Sequence, residues 1–263
     1  MKLIVHGAAG RMGREIVNAA TTAPGFEIAA ALGRTGSASL GADVGVLAGA
    51  GALGVVVSDD VAAGLAAGDV AIDVSQPAAA VRFARQASAA GKPVVVATTG
   101  LNAEQLASVR EGAGQAPVLI AANLSLGINV LAQILPTIAR ALGAEYDVEV
   151  VEAHHRHKKD APSGTAIRLL EAITAALGRS PGEVSRHGRS GLAPRQPGEI
   201  GVHSLRAGGI VGEHSVFFVS EGEQIEVAHR AFSRRTFALG GLRAAAFLAD
   251  QRPGLYTMQD VLG

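Results

Sequence analysis

The sequence predicts an α/β protein: a doubly wound parallel sheet, then a second α+β domain with a mixed sheet. Three observations carry that prediction. Short, almost wholly apolar runs alternate with helical stretches through the first half of the chain. A glycine-rich turn follows the first of those runs directly. Beyond residue 125 the pattern changes to neighbouring strands joined by Gly-rich turns. Apolar runs without polar alternation suit a parallel sheet covered on both faces, and consecutive strands with tight turns suit an antiparallel or mixed one.

The elements follow in order. Residues 2–6 form a short apolar strand, and 11–22 carry Met12, Ile16, Val17 and Ala20 at helical spacing. The turn Pro24-Gly25 leads into a second strand, 26–32. Further buried strands are expected at 54–57, 70–74, 94–97 and 118–121, alternating with helices at 60–67, 78–90 and 103–113. Residues 126–142 form a long helix in which Pro136 marks a kink or a boundary. A strand at 146–152, a helix at 165–177 and strands at 202–206, 214–220 and 224–229 build the second domain. The stretch 178–200, rich in Gly, Pro, Arg and Ser, reads as a mobile surface loop. An amphipathic helix at 235–249 is placed to return to the first domain, giving domains of 1–125 plus 235–263, and of 126–234.

Composition excludes several functions. The 263 residues hold 23 basic and 23 acidic side chains, so no general attraction for nucleic acid or an anionic membrane exists and any anion site must be local. With no cysteine, disulfides, thiolate metal sites and cysteine nucleophiles are ruled out, which fits a reducing cytoplasm. The apolar run at the start is too short for the core of a signal peptide. Residues 44–57 are too few for a membrane span, and 112–139 is interrupted by Pro117, Asn123, Asn129, Gln133 and Pro136.

The turn Gly7-Ala-Ala-Gly-Arg-Met-Gly13 matches GxxGxxG, a variant of the dinucleotide fingerprint, between a strand and a helix as a Rossmann-like fold requires. Gly7 permits the tight turn, Gly10 the approach of backbone to pyrophosphate, and Gly13 close helix–strand packing. The helix N-terminus then presents N–H groups to the phosphates. At the end of the second strand stands Gly33-Arg34 rather than the acid that bonds the ribose hydroxyls of NAD. An unopposed Arg34 favours the extra phosphate of NADP, so NADPH is the expected preference, with NADH the other candidate.

Lysine is rare: only Lys2, Lys92, Lys158 and Lys159. Two of the four lie in Glu152-Ala-His-His-Arg-His-Lys-Lys-Asp-Ala-Pro-Ser-Gly-Thr165, beside His154, His155, Arg156 and His157. Such a cluster at a strand end suits a small, multiply anionic substrate. Ser163 could cap the helix that follows, whose Gly164 and Thr165 amides would meet a carboxylate at its positive end. Histidine adds a group that titrates near neutrality and can move a proton. A solvated charged surface, a metal site on the histidines and a purely structural cap are the competing readings. Against a metal, Arg156, Lys158 and Lys159 would repel a cation, and no carboxylate cluster completes a shell.

Along essentially its whole length the sequence resembles the 4-hydroxy-tetrahydrodipicolinate (dihydrodipicolinate) reductase family. The resemblance rests on the glycine loop, Ala97-Thr-Thr-Gly100, Ala121-Ala-Asn-Leu-Ser125, the His-rich segment through Thr165, and Arg206-Ala-Gly-Gly-Ile-Val-Gly-Glu-His214. It implies NAD(P)H-dependent reduction of a cyclic dicarboxylate on the diaminopimelate route to lysine. His154 and Lys158 would then be catalytic, with Lys158 the proton donor, and His155, Gly164 and Thr165 would bind substrate. The implied cofactor-binding residues are Gly7, Ala8, Ala9, Gly10, Arg11, Met12, Arg34, Ala97, Thr98, Thr99, Ala121, Ala122, Asn123 and Leu124. The family's usual state is a homotetramer assembled through the second domain's sheet. Three departures stand out: Gly33 replaces a common acid, Leu124 replaces an aromatic residue, and Lys159 stands where another residue is common. Arg156, His157 and Lys159 receive no role. A regulatory NADP(H) sensor, a metal-assisted hydrolase and a dehydrogenase of another amino- or keto-dicarboxylate are the alternative functions.

Overall fold

In the computed structural model, which describes residues 1–263, the first strand is β1 (Lys2–His6), followed by α1 (Arg11–Thr22) and β2 (Glu27–Leu32). Then come α2 (Val44–Leu47), β3 (Val57–Ser58), α3 (Val61–Ala67), β4 (Val70–Asp73) and α4 (Pro77–Ala89). The alternation continues through β5 (Val94–Val96), α5 (Ala103–Glu111) and β6 (Pro117–Ile120). Next are α6 (Leu126–Leu142), β7 (Asp147–His154), α7 (Gly164–Ala176), α8 (Pro181–Val184) and β8 (Ser185–His187). Three long strands, β9 (Ile200–Arg206), β10 (Gly212–Val219) and β11 (Gln224–Ala231), precede α9 (Arg235–Ala249), β12 (Gly254–Tyr256) and α10 (Met258–Leu262).

Two compact units result: Met1–Leu126 with Arg234–Gly263, and Gly127–Ser233. The first holds a seven-stranded sheet of order β12-β6-β5-β4-β1-β2-β3, every neighbouring pair parallel. Its strands are mostly apolar, with polar residues confined to their ends, because successive side chains enter two separate cores. Leu3, Val5, Ile72, Val95 and Leu119 pack on one face with α1 and α9. Ile4, Ala71, Val94, Val96 and Val118 pack on the other with α3, α4 and α5. The chain reverses direction across the sheet at β1, which lies between β2 and β4, and this switch point is where such sheets open a ligand crevice at their carboxyl ends.

The second unit is a mixed five-stranded sheet of order β11-β10-β7-β9-β8, in which β10 runs antiparallel to β7 and β11, while β9 is parallel to β7 and β8. Strand β7 alternates strictly, turning Val148, Val150, Glu152 and His154 inward. Val148, Val150, Val216 and Phe218 form the core with Leu131 and Leu135 of α6 and with Leu169 and Ile173 of α7. Helix α6 continues through Pro136. The stretch Leu126–Glu145 is long and apolar enough to cross a membrane by composition, yet Leu131, Leu135 and Ala139 belong to this unit's core.

Several elements differ from expectation. The edge strand β3 is only two residues long and begins where a four-residue strand was expected to end. Residues 178–200 are not a featureless loop: they contain α8 and β8, and their remainder is pinned. Arg195 bonds the Val148 carbonyl at 3.3 Å and pairs with Glu149, and Arg189 pairs with Glu199. Charge pairing on the sheet overrides the local Gly and Pro signals. The strands β7 and β10 also extend further than their apolar residues suggest, because ladder hydrogen bonds continue through polar residues.

Candidate active site

The glycine loop leaves β1 at the switch point. Gly7 has φ +83°, and a Cβ there would lie 2.9 Å from the Val74 carbonyl oxygen. A Cβ on Gly13 would sit 2.2 Å from the Gly7 carbonyl oxygen and 2.6 Å from the Ala8 Cα, so α1 reaches its loop only because both residues lack side chains. Gly10 is the N-cap of α1, with no side-chain cap and no acid in the first turn. The helix therefore offers uncapped N–H groups and its positive end outward, which fits a dinucleotide's phosphates. Ala8 is buried, Ala9 and Met12 half-buried and Arg11 exposed.

The other sequence-predicted cofactor positions follow the carboxyl ends of β2, β5 and β6 on the same edge of the sheet. Arg34 is exposed beyond β2. At Gly33 a Cβ would approach Val57 Cγ1 to 2.8 Å, so Val57 would have to move to admit any side chain there. Ala97, Thr98 and Thr99 follow β5, and Ala121, Ala122, Asn123 and Leu124 follow β6, where the Asn123 Oδ1 accepts from the Ser125 amide at 2.8 Å. Thr98 is buried, and its hydroxyl is committed internally to Asp73 at 2.6 Å. Asp73, fully buried, also accepts from the Ser75 hydroxyl at 2.6 Å and lies 2.6 Å from His6 Nδ1. One carboxylate thus ties together the ends of β1, β4 and β5. Sequence reasoning missed both Asp73 and His6. An acid closing an otherwise apolar strand run was the available signal.

In the second unit, His154 is the last residue of β7, with 9% of its surface exposed. Its Nδ1 lies 2.6 Å from Glu152 Oε2. Glu152 is fully buried and receives both terminal nitrogens of Arg206, at 2.7 and 2.8 Å, and the Ser163 amide at 3.0 Å. Burial works to raise the Glu152 pKa, but hydrogen bonds from Arg206, His154, Ser204 and Ser163 outweigh it and hold the group at about 2. Burial also depresses the His154 pKa, and the opposing bond and charge of Glu152 do not restore it.

The segment after β7 bends back toward this pair. Arg206 bonds the Asp160 carbonyl at 2.6 Å as well as Glu152, so one guanidinium fastens the segment to the strand. Lys158 pairs with Asp160 at 2.8 Å, and that carboxylate is held below its ordinary pKa: burial opposes the shift, and the Lys158 bond outweighs it. Ser163 caps α7 by accepting from the Ala166 amide at 3.1 Å, and its hydroxyl lies 3.1 Å from His214 Nε2. His214 is 3% exposed, and burial pushes its pKa down to about 3. Its ring meets His154 edge-on at 5.2 Å. His155 and Thr165 are half-buried and Gly164 exposed, the latter two opening α7. The unit therefore brings together His154, Lys158 and the start of α7. Glu152, Arg206 and His214 are the residues that sequence reasoning left without a role. The signal was there in β7, where the polar Glu152 falls on an inward position.

A parallel sheet with an uncapped, glycine-built loop at its switch point places the chain in the class of Rossmann-like dinucleotide-binding folds. Comparison with known proteins narrows the class. Residues 1–124 match the family description "Dihydrodipicolinate reductase, N-terminus" and 127–262 match "Dihydrodipicolinate reductase, C-terminus". The 4-hydroxy-tetrahydrodipicolinate reductase of Anaeromyxobacter dehalogenans is 49% identical over 100% of this chain and 97% of its own. That of Rubrobacter xylanophilus is 48% identical over 100% and 98%. Among solved structures, a dipicolinate-bound dihydrodipicolinate reductase from Paenisporosarcina shares the fold at TM-score 0.74 and 22% identity, covering 99% of this chain and 98% of that one. An amine dehydrogenase from Mycobacterium smegmatis aligns at TM-score 0.67 and 16% identity, covering 99% and 95%. The chain belongs to the dihydrodipicolinate reductase family.

Proposed function

We propose that the protein reduces 4-hydroxy-tetrahydrodipicolinate to tetrahydrodipicolinate with NAD(P)H, on the diaminopimelate route to lysine. The observation that carries the reading is the second unit's His154–Glu152 pair with Lys158 on the adjoining segment, in a chain that matches such reductases from end to end. A bound nicotinamide supplies the hydride. The protein's own groups do the rest. His155 and the Gly164 and Thr165 amides at the positive end of α7 take up the substrate's carboxylates. The Lys158 ammonium, held by Asp160 in the free protein, adds a cation that a substrate carboxylate can share. His154 and Lys158 move the proton that completes reduction of the conjugated imine. Holding and orienting a dianion is the larger expected effect, and general acid catalysis adds roughly 10²–10⁴-fold.

Gly7 to Met12, Arg34, Ala97 to Thr99 and Ala121 to Leu124 form the proposed cofactor site, with residues 1–125 and 235–263 its domain and 126–234 the domain for substrate and assembly. Exposed Arg34 and the absence of an acid at Gly33 support a preference for NADPH. We place the protein in the cytoplasm as a homotetramer, with neither nucleic acid nor membrane as a partner. The test is a coupled assay in which the synthase product is supplied and oxidation of NADPH and NADH is followed by absorbance. Oxidation with NADPH, and a selective loss of NADPH efficiency in Arg34→Ala, are expected. No oxidation with either cofactor would overturn the function.

A further inference from the structure

On the inward face of the second sheet, β7, β9 and β10 gather Glu152, His154, Arg206 and His214. The Glu152 carboxylate is fully engaged: Oε1 accepts from Arg206 and the Ser163 amide, Oε2 accepts from Arg206 and faces His154 Nδ1, and Ser204 bonds it as well. A buried carboxylate with a bidentate guanidinium partner stays ionised, because losing either charge would strand the other. An ionised carboxylate can only accept hydrogen bonds. The proton in the His154–Glu152 contact therefore sits on Nδ1, and the lone pair of the neutral ring is on Nε2. That nitrogen points toward Gly212 on β10, where an added Cβ would lie 3.2 Å from it. A side chain at Gly212 would crowd this nitrogen, and the φ of Gly212 is not in the left-handed region, so its lack of a side chain matters for space and not for backbone shape.

We propose that Glu152 is a positioning residue: clamped by Arg206, it fixes His154 in the Nδ1–H form, so that proton exchange runs through Nε2 in the space Gly212 keeps clear. The part concerning exchange rests on the function proposed above; the state of the ring does not. In that exchange Nε2 takes up a proton, giving an imidazolium that faces the Glu152 anion. It then releases the proton to the reduced substrate and returns to the neutral ring, while Nδ1 keeps its own proton throughout. The groups facing His154 are Glu152 on its own strand, Arg206 from β9, His214 from β10, and Lys158 with Asp160 on the following segment, with His229 from β11 beyond His214. Burial and the nearby cations disfavour the charged ring and Glu152 favours it, with the balance leaving the ring neutral near pH 7.

Nitrogen NMR of the histidine rings, on labelled protein without cofactor or substrate, tests the ring state directly, with His154 assigned by its loss in His154→Asn. A protonated Nδ1 with a bare Nε2 at neutral pH is expected. A ring protonated on Nε2, or on both nitrogens, would overturn the proposal whatever the activity. In Glu152→Gln, kcat should fall roughly a hundredfold with the cofactor's KM little changed. The acid limb of the kcat–pH profile should move to lower pH, because removing the anion disfavours the charged ring. A folded Glu152→Gln with wild-type kcat and profile would refute the positioning role. Should that variant not fold, Gly212→Ala decides: lowered kcat with an unchanged ring spectrum supports the Nε2 route, and unchanged kcat rejects it. A wild-type protein that oxidises no NADPH sinks the function alone, since the ring spectrum still decides what Glu152 does.

Discussion

At the scale of single residues, the site is governed by which charges are buried. Lys158→Ala is expected to collapse turnover and His154→Ala to lower it by roughly 10²-fold or more, read as kcat in folded, purified variants. Acid sensitivity follows from the same groups. His214 rests at about 3 in the fold, so below its ordinary 6.5 the unfolded chain takes up a proton that the folded chain refuses, and stability falls as pH drops through that window. His154 and His229, also depressed by burial, act in the same direction. Glu152 contributes stability that is fully present above its ordinary 4.5 and is lost as pH falls toward about 2, on the order of 3 kcal/mol in total. Urea unfolding across pH 3–7 should therefore show a decline beginning just under 6.5 that steepens below 4.5, and His214→Gln should flatten its upper part.

At the scale of elements, backbone geometry decides. A methyl on Gly13 would overlap the Gly7 carbonyl and the Ala8 Cα, atoms that cannot yield without moving the loop. Gly13→Ala should therefore lower thermal stability and abolish NADPH binding measured by fluorescence, whereas Gly114→Ala, which meets nothing within 4 Å, should leave binding unchanged. Much of this scale was legible beforehand. The apolar runs marked β1, β2, β4, β5 and β6 because burial on two faces leaves few polar positions, and the glycine spacing marked the loop. The carboxyl ends of strands were harder to read. Asp73 meets His6 from 67 positions away and Glu152 meets Arg206 from 54, across strands whose register no local pattern encodes. The pinning of residues 188–199 escaped for the same reason: its arginines look like loop solubility until Glu149 and Glu199 are placed beside them.

At the scale of the molecule, the second sheet has one covered face and one open face. The open face carries Val151, Phe217 and Val219, half-buried in the single chain, and Leu205, 50% exposed. An open sheet face of this composition is where the proposed tetramer would assemble. Sedimentation should give four copies for the wild type, and Phe217→Glu should shift the population to smaller species while leaving NADPH affinity in place. A wild-type monomer would remove the assembly from the account. The first sheet is finished by a segment that arrives last: β12 pairs with β6, and Ala238, Leu242, Ala245, Leu248, Met258 and Val261 fill the core behind β1 and β4. The nucleotide-binding half is thus interrupted by the whole of the other unit. On the ribosome, residues 127–233 will all have been made while the earlier half still lacks a strand and a wall of its core. That half stays partly assembled, with apolar surface uncovered, until residues 234–263 have been made, and exposed apolar surface of this kind is what makes a folding intermediate prone to aggregate.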